Sequence, residues 1–563
     1  MNDLFLSPVG PALLLLLTGV LLRLAPQVRR SSLMAAMLVA PSLAALALLL
    51  RLRLLQVPDL TTTWSPLVIP PLQLRWSLDG WNWLALLLLT IVGLGAVLLT
   101  WRLPGPRSGA FHGLSLLLLS AAALAVVSGN LLTLSGAWIA SDVLLVARAR
   151  EPRAPQGAVQ GGLVAAGSLL FTLAIYITNA SGVTAPLARA TLPPETVMLL
   201  GLAAALRMAV YPLHQWLAPG PGAARTLGTG LLLCGVSLVT GGWLLGRLYE
   251  AAAGQLLTAP FWPLLLVALT LAAGLAAWAT READCLTLLT SSRGGWLWLT
   301  LAMAAPGLGR DALGWGLVTA VLGIALFAVG QVLFTQWGWR LPLLLSGGLL
   351  VGAPLLAGFP VRALAPAQGL PLWLLLTAAD GLAVASVLAP LYRPRSVADP
   401  GPQQPAAGRP PLSPALSLVS PLVGQPGWMN WPLARLLVAF SLIAVPVFVW
   451  GLRPELLAQL AGFGVSLTLA EALRLTPPGQ WLSMAAALAL AVGLAWAAAQ
   501  PALAAARSRL AVFLRLDWAL DAALNVLAWL GNVVRMLLRT VEGEGYVGWV
   551  GLLALLIWLL ARG

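Results

Sequence analysis

The chain has 563 residues, of which 60% are hydrophobic and only 9% are charged. A soluble domain carries roughly a quarter charged residues, so most of this sequence must face lipid or other buried helices. The net charge of +14 would suggest a nucleic-acid partner in a soluble protein. Here the basic residues, all of them arginine, fall singly in the loops between apolar runs, as they do in membrane proteins. The composition therefore predicts an all-α polytopic membrane protein and no nucleic-acid binding.

Apolar runs of about 17–25 residues are long enough to cross a bilayer. The sequence has such runs near residues 8–25, 33–50, 81–101, 111–129, 131–147, 160–178, 196–214, 226–247, 261–279, 285–305, 313–335, 341–362, 369–391, 432–452, 480–500 and 545–561. We predict about 14 core transmembrane helices from these runs, followed by a last span. The chain starts with Asp3 rather than basic residues, so we expect the first run to be a retained helix and not a cleaved signal.

The distribution of arginine in the first loops favours an N-terminus on the outside of the membrane. With that orientation, the inside loops hold Arg23, Arg29, Arg30, Arg102, Arg107, Arg148, Arg150 and Arg153, and the outside loops hold Arg51, Arg53, Arg75 and Arg189. We therefore expect an integral membrane protein, of a bacterial inner membrane, with its N-terminus outside.

Composition and hydropathy divide the chain into six segments. A polar stretch rich in Pro, Gly, Gln and Ser reads as a flexible connection rather than a domain. The predicted segments are the N-terminal helices and outer loop (1–80), the core (81–392), the polar linker (393–431), the C-terminal spans (432–500), an amphipathic helix (501–541) and the last span (542–563).

Residues 207–217 contain the most informative phrase of the sequence. A helix that crosses the bilayer must kink or break at Pro212, because proline leaves an upstream carbonyl without its partner. Arg207 and His214 lie on either side of this break, and an ionisable residue inside a membrane helix is by default a functional candidate. Broken helices near the midplane are typical of ion-handling proteins. A plain proline kink with an arginine that reaches the membrane surface is the alternative.

The phrase Tyr-Pro-Leu-His-Gln-Trp-Leu at 211–217 resembles the antiporter-like proton channel subunits of respiratory complex I and of Mrp cation/proton antiporters. Gly-Ala-Pro-Leu-Leu-Ala-Gly-Phe-Pro-Val-Arg at 352–362 is similar to the second broken helix of that family, and Leu-Asp-Gly at 78–80 to the start of its third helix. The resemblance implies two inverted five-helix repeats, with breaks at Pro212 and Pro354. For Asp79 we expect the ordinary role of an acid at a helix N-terminus.

The family pairs a glutamate with the lysine of its first broken helix, and this sequence has Ile139 where the glutamate would be. Asp142 lies three residues further on and so on nearly the same helix face. We predict that Asp142 pairs with Arg207; a contact with Arg148 or with water is the alternative. By the same logic, Asp380 is the best candidate partner of Arg362. The candidate proton or ion pathway is thus Asp142, Arg207, His214, Arg362 and Asp380.

Most relay positions of the family carry residues that cannot titrate here. Lysine can lose its proton when it is desolvated, whereas arginine stays charged. The substituted positions are Ile139, Arg207, Leu233, Ala283, Gly330 and Arg362. A lysine-type proton relay in this chain is therefore expected to be weakened.

The sequence predicts no catalytic residue, cofactor or metal site in this chain. Cys234 and Cys285 both lie in apolar helices, and no dinucleotide-binding glycine motif or cysteine cluster is present. Any oxidoreductase activity must then belong to partner subunits. Three functions stay open: an antiporter-like subunit in the membrane arm of a complex I-type NADH:quinone oxidoreductase, a Mrp-type antiporter subunit that uses Asp142, Asp380 and His214, and a structural scaffold. The expected partners are other membrane subunits, lipid, and protons or monovalent cations.

Near the C-terminus, polar residues recur along one face of an otherwise apolar helix. They are Asp517, Asp521, Asn525, Asn532, Arg535 and Arg539. A helix of about 35 residues would be roughly 50 Å long, which is too long for a simple span. We expect it to lie along the membrane or along neighbouring subunits, as one complex I subunit of this family does; an interfacial helix that contacts lipid only is the alternative.

Overall fold

The structure is a computed structural model. It describes residues 5–24, 31–65, 72–100, 108–149, 157–178, 180–217, 227–254, 256–257, 259–280, 283–305, 307–365, 369–392 and 432–541, with a few residues between 550 and 557. The predicted linker 393–431 and most of the predicted last span lie outside the described residues. So do six of the arginines used for the orientation: Arg29, Arg30, Arg102, Arg107, Arg150 and Arg153.

Nearly all described residues are helical. The helices are α1 (Gly10–Leu24), α2 (Ser31–Leu55), α3 (Gly80–Thr100), α4 (Ser108–Val126), α5 (Leu131–Ala149), α6 (Gly157–Ile177), α7 (Ala180–Thr184), α8 (Pro194–Arg207), α9 (Leu227–Ala251), α10 (Trp262–Ala279), α11 (Ala283–Met303), α12 (Gly309–Trp337), α13 (Leu341–Val351), α14 (Phe359–Leu364), α15 (Leu370–Tyr392), α16 (Pro432–Leu452), α17 (Pro454–Ala461), α18 (Leu469–Leu475), α19 (Pro478–Ala499), α20 (Pro501–Arg515) and α21 (Asp517–Val541). Short 3-10 turns lie at Leu187–Arg189 and Leu213–Trp216.

The loop that the sequence predicts between the second and third helices is partly a β-hairpin. Strands β1 (Leu60–Ser65) and β2 (Leu72–Trp76) pair antiparallel, with an irregularity in register between Thr63 and Ser65. A row of β-branched threonines in β1 favours the extended conformation. A hydropathy profile does not detect this hairpin, because its strands are short and partly polar.

The predicted class of an all-α polytopic membrane protein is confirmed. Within the described residues, seven helices are long and apolar enough to cross a membrane by length and composition: α3, α9, α10, α12, α15, the stretch Leu433–Leu452 of α16, and α19. The count of about 14 core helices stays a prediction.

Helices α3, α9 and α12 form the centre of the bundle, where each packs against the other two. They are mostly apolar and are almost completely buried, as expected for helices surrounded by other helices. Some of their polar side chains, among them Thr90 and Thr240, donate to the carbonyl one turn earlier in the same helix.

The first broken helix is closed by its own backbone. Helix α8 ends at Arg207, Ala209 adopts a left-handed φ of 54°, and the Val210 N–H donates to the Ala205 carbonyl at 3.0 Å. The Ala209 N–H donates to Leu206 at 3.0 Å, which completes a Schellman motif. The chain then reaches the 3-10 turn Leu213–Trp216. The sequence predicts a break at Pro212. In the structure the helix ends earlier, at Arg207.

The second broken helix is closed in the same way. Helix α13 ends at Val351, Gly352 has a φ of 73°, and the Ala353 N–H donates to the Gly348 carbonyl at 2.8 Å. Helix α14 begins at Phe359, after seven intervening residues. Glycine, which lacks a Cβ, is the usual residue at this left-handed position. Here too the helix ends before Pro354.

The chain divides into two compact units, Met1–Ala511 and Val512–Gly563. The division falls inside the predicted amphipathic helix 501–541. This segment is two helices rather than one, since Leu516, between α20 and α21, has a left-handed φ of 58°. In the second unit, the Trp518 indole N–H donates to the Phe513 carbonyl at 3.2 Å.

The two Schellman motifs allow a reciprocal test. Ala209→Gly should stabilise the protein by about 0.5–1 kcal/mol. A left-handed alanine costs roughly 1–2 kcal/mol, and the higher conformational entropy of glycine in the unfolded chain offsets part of the gain from removing this cost. Gly352→Ala should destabilise it, since the new Cβ would also meet the Arg362 side chain at 3.0 Å. The measurement is the melting temperature in detergent. A lower melting temperature for Ala209→Gly contradicts the assignment.

Candidate functional site

Arg207 and Asp142 form an ion pair inside the bundle. Arg207 is the last residue of α8, and its Nη2 donates to Asp142 Oδ1 on α5. Their side chains are only 3% and 7% exposed. Arg207 Nη1 also donates to Ser141 Oγ at 3.0 Å, and Ser168 Oγ donates to the other oxygen of Asp142. The structure thus brings together the two residues that the sequence predicted to pair, which we call the first pair.

The face of α5 that carries Asp142 also carries Trp138. The guanidinium carbon of Arg207 lies 4.0 Å from the centre of the Trp138 ring, and this ring stacks on Phe171. Ile139 lies outside this face and is 43% exposed. Asp142 lies one turn from Trp138 on the buried side of α5, and Ile139, three residues before it, is at the exposed edge. A cavity of about 10 Å³ adjoins the first pair, which is about the smallest space that holds one water.

His214 lies in the 3-10 turn that follows the first break. It is buried, and its ring stacks on Tyr211 with ring centres 5.2 Å apart. The neighbouring Trp216 donates its indole N–H to the Leu206 carbonyl at 2.7 Å, so it fixes the turn to the end of α8. The predicted site residues Arg207 and His214 thus belong to one compact structure around Pro212.

Arg362 and Asp380, the second predicted pair, are also in contact. Arg362 Nη2 donates to Asp380 Oδ2 on α15. The Nε and Nη2 atoms of Arg362 donate to the Val351 carbonyl at 3.1 and 3.0 Å, and Nη1 donates to Gln480 Oε1 at 3.4 Å. Val351 ends α13, where carbonyls lack helical partners and attract a cation. Arg362 therefore stabilises the C-terminal end of α13, because it donates to the Val351 carbonyl and places a positive charge beside it.

A third member of this site, Arg293, was missed by the sequence reasoning. Its Nη1 donates to Asp380 Oδ1 at 3.3 Å, and both side chains are 1% exposed. Arg293 lies in the middle of the apolar helix α11, which is itself a signal that the sequence carries, because a charge in such a position needs a partner. We call Arg293, Arg362 and Asp380 the second cluster.

A cavity of about 50 Å³ adjoins the second cluster. Polar groups of Arg362, Asp380, Gln480 and Ser483 line one part of it, and Trp296 and other apolar side chains line the rest. A water needs about 10–15 Å³ measured in this way and two to four polar partners. The cavity therefore has room for several waters, unlike the one at the first pair.

Asp79 has a larger role than the helix-terminal acid that the sequence predicted. Its Oδ1 accepts from the Asn82 backbone N–H at 2.9 Å, which is the expected cap of α3. In addition, the buried Arg247 of α9 donates to Asp79, to Asn82 Oδ1 at 2.6 Å and to Glu250 at 2.8 Å. Arg310 donates to the other oxygen of Glu250 at 2.8 Å. We call these five residues the Asp79 network.

In the part of the chain that the structure describes, no group of three or more His, Cys, Asp and Glu side chains is arranged to hold a metal ion. Cys234 and Cys285 are buried and are not bonded to each other. The chemistry of the site is thus that of buried guanidinium groups, carboxylates and a histidine.

The first pair can be tested against an exposed pair of the same composition. Asp142→Asn should destabilise the protein by about 3–5 kcal/mol, because it leaves Arg207 buried and without its counter-charge. Asp59 pairs with Arg75 where the side chains are 36% and 31% exposed, so Asp59→Asn should cost less than about 1 kcal/mol. Denaturation in detergent measures both. Equal effects would show that the first pair is not buried as described.

The Asp79 network predicts a pH dependence of stability. Burial favours the neutral carboxyl of Asp79, but the Arg247 guanidinium and the Asn82 N–H outweigh it and hold the pKa below its ordinary value of 3.8. A lowered pKa contributes stability above the unfolded-state pKa, and this stability is lost as the pH falls through the folded-state value. The difference in melting temperature between wild type and Asp79→Asn should therefore be constant above about pH 5 and shrink below 3.8. A constant difference throughout contradicts this.

Comparisons with known proteins give likenesses in structure alone. No protein family model matches the chain, and no curated protein matches it. The chain is similar to a chain of the Mrp complex from Dietzia sp. DQ12-45-1b, with a TM-score of 0.66, 17% identity and 98% of this chain covered. It spans 62% of the length of that chain.

A second similar structure is the membrane-bound sulfane sulfur reductase, an archaeal respiratory membrane complex. The TM-score is 0.65 at 17% identity, over 98% of this chain and 99% of the other. At such identity, the likeness establishes the fold and leaves the activity open. The chain has the fold found in subunits of a Mrp complex and of a respiratory membrane complex, as its resemblance to the antiporter-like subunit family predicts.

Proposed function

We propose that this chain is an antiporter-like subunit in the membrane arm of a complex I-type assembly and that it lacks a working proton relay of its own. The observation that carries the proposal is the first pair. At the break where the resemblance leads us to expect a titratable lysine, a buried arginine is bonded to an aspartate. An arginine side chain keeps its proton in proteins, so it does not pass a proton on.

The second break supports the same conclusion. Arg362 and Arg293 share one carboxylate, that of Asp380, and all three side chains are buried. Both guanidinium groups are permanently charged. The second cluster therefore has two groups of fixed charge and one carboxylate, and this carboxylate contacts both guanidinium groups.

Fixed ion pairs can still take part in coupling without transferring protons. Charges that stay in place contribute to the electrostatic potential felt by titratable groups in adjacent subunits, and they do so strongly in a medium of low dielectric constant. This is the role that we assign to the first pair and the second cluster. The partners are then other membrane subunits, which supply any redox chemistry and the proton path.

For the remaining features we keep the interpretation that the sequence gives. We place the chain in a bacterial inner membrane with its N-terminus outside, and we treat 81–392 as the antiporter-like core. The segment 501–541 is proposed to lie along the membrane or along neighbouring subunits, since the described part of α21 exposes both apolar and polar side chains, among them Trp529 and Asn532.

The test is proton flux in proteoliposomes that contain the purified assembly. The variant is Arg207→Met combined with Asp142→Leu, because replacing a buried ion pair by apolar residues of similar size is often neutral for stability, whereas removal of one partner is not. We expect the variant to assemble and to transport protons at the wild-type rate. Size-exclusion chromatography before reconstitution confirms that only intact complexes are measured.

A control variant and a contradicting outcome make the result decisive. Arg207→Lys with Asp142→Glu restores residue types that can form a lysine–glutamate pair, and it should change the flux only if the path through this subunit is otherwise complete. If the apolar variant instead loses flux while the complex stays intact, the first pair belongs to a working relay and the proposal is wrong.

A Mrp-type cation/proton antiporter subunit is the second candidate. It is favoured by the likeness to a Mrp complex and by His214, which is buried at the first break beside Tyr211. Histidine titrates in the physiological pH range. In this case, sodium-driven proton movement in the proteoliposomes should be present in wild type and fall in His214→Phe. Absence of sodium-dependent flux in wild type rejects this candidate.

A further inference from the structure

A groove of about 860 Å³ lies between α8 and α10, and we call it the α8–α10 groove. It is far larger than the cavities at the first pair and at the second cluster, and it shares no lining residue with either. None of the described residues that line it is charged, and only Tyr211, Trp262 and Trp298 among them have a polar side-chain atom. A packed interior has few spaces larger than one water, so a groove of this size and polarity is a binding surface for apolar groups.

Two helix faces form the walls of the groove. Helix α9 packs against α8 and α11 packs against α10, whereas α8 and α10 share no extensive contact. Residues three and four positions apart lie on one face of a helix. The wall on α8 includes Pro194, Val197, Met198, Gly201, Leu202 and Ala205, and the wall on α10 consists of Trp262, Leu265, Leu266 and Leu269.

The groove follows one leaflet of the membrane. From Pro194 to Ala205 it runs about 16 Å along α8, at 1.5 Å per residue, and half of the hydrocarbon core of a bilayer is about 15 Å thick. One end lies at residues 251–257, which follow the span α9, and the other end lies at residues 210–213, in the first break. The groove therefore leads from the membrane surface to the first break.

The groove is open at the side of the bundle. Met198, Leu202 and Leu265 at its rim are 69%, 47% and 43% exposed, whereas Val197 and Leu266 are only 6% and 5% exposed. The groove thus has an apolar mouth and a buried floor. Because α10 is a helix long and apolar enough to span the membrane, this mouth faces hydrocarbon and not water.

The volume of the groove distinguishes an acyl chain from a helix of another subunit. A helix about 16 Å long and about 10 Å across with its side chains would occupy roughly 1,300 Å³. A methylene group is about as large as a water, which takes about 30 Å³, so the groove holds about 30 such groups. That is the content of the two acyl chains of a phospholipid, and it is too little for a helix.

We propose that the α8–α10 groove binds the acyl chains of one membrane phospholipid. The headgroup then lies at the membrane surface beside residues 251–257, and the chain ends lie against the first break. Lipid chains are as apolar as the side chains of the groove, so close packing drives binding rather than removal of the chains from water. This inference rests on the membrane class of the chain and not on the proposed function.

The bound chains become part of the packing around the first break. Val210 and Leu213 line the groove, and the Val210 N–H closes the end of α8 at the Ala205 carbonyl. His214 follows Leu213 directly. Lipid in the groove therefore restrains the segment between Arg207 and His214 from the membrane side.

The experiment is photochemical labelling of the purified assembly in vesicles of phosphatidylethanolamine and phosphatidylglycerol. A trace of the phosphatidylethanolamine carries a diazirine in one acyl chain, close either to the carboxyl group or to the chain end. After exchange into detergent and irradiation, we expect the first probe to label residues 251–257 and the second to label residues 210–213. Absence of label from both segments overturns the proposal, because another subunit or another part of this chain then covers the groove.

An exposed helix face outside the groove is the control for general contact with lipid. Leu482 on α19 is 61% exposed, so lipid touches it in the vesicles and leaves it on exchange into detergent. Label at Leu482 should therefore appear only when irradiation precedes the exchange, whereas label in the groove should survive the exchange. Equal loss at both places shows general lipid contact alone and overturns the proposal.

A matched pair of glycine variants tests the shape of the groove. A Cβ at Gly201 would meet only the Trp298 ring, at 3.4 Å, and a Cβ at Gly493 on α19 would meet nothing within 4 Å. Gly201→Leu places extra methylene groups in the groove and should lower the groove labelling about tenfold. Gly493→Leu should keep the wild-type labelling. Unchanged groove labelling in a folded Gly201→Leu protein overturns the proposal.

The wild-type protein decides the question if Gly201→Leu does not fold. The two probes differ only in the depth of the diazirine, so the order of their labels along the groove reports how the lipid lies in it. Label from the chain-end probe at residues 251–257, or the same distribution for both probes, contradicts the proposed orientation and overturns the proposal without any variant.

Discussion

The need to neutralise permanent positive charge inside an apolar bundle is the constraint on which the site depends. Arginine keeps its charge where lysine could lose it, so each buried guanidinium requires an anion within contact distance. Arg207 meets this need with Asp142, and Arg247 meets it with Asp79 and Glu250. The Arg207–Asp142 contact joins α8 to α5, and the Arg247–Asp79 contact joins α9 to the start of α3, so these pairs help to fix which helix faces meet.

The helix breaks and the ion pairs are physically connected. A helix that ends inside a membrane protein leaves its last carbonyl groups without helical partners, and these must be satisfied within the protein. At both breaks a Schellman motif satisfies part of them through the backbone. At the second break Arg362 satisfies one more of these carbonyl groups, that of Val351, with two hydrogen bonds. The same side chain also donates to Asp380. At the first break Arg207 extends away from its own helix end, towards α5.

Chains with the same fold can differ in the charged residues that they bury. The chain shares its architecture with subunits of two membrane complexes at 17% identity, while its relay positions carry arginine and apolar residues. Packing of apolar helices tolerates many substitutions of similar volume. Proton transfer does not, since it requires groups that change charge at accessible cost. The fold alone therefore does not specify whether a chain with this architecture transports protons.

The sequence by itself determined the membrane class, the two broken helices and the partners Asp142–Arg207 and Asp380–Arg362. The composition gives the class, and the proline-containing motifs give the breaks. Acidic residues are so few in the apolar runs that the partners of the arginines can be chosen among them. Only the tertiary structure decided that each helix ends before its proline, that Ile139 faces outward, and that Arg293 joins Asp380 from 87 residues away. The reason is that helical periodicity relates residues within one turn or two, whereas the register between helices depends on packing throughout the bundle.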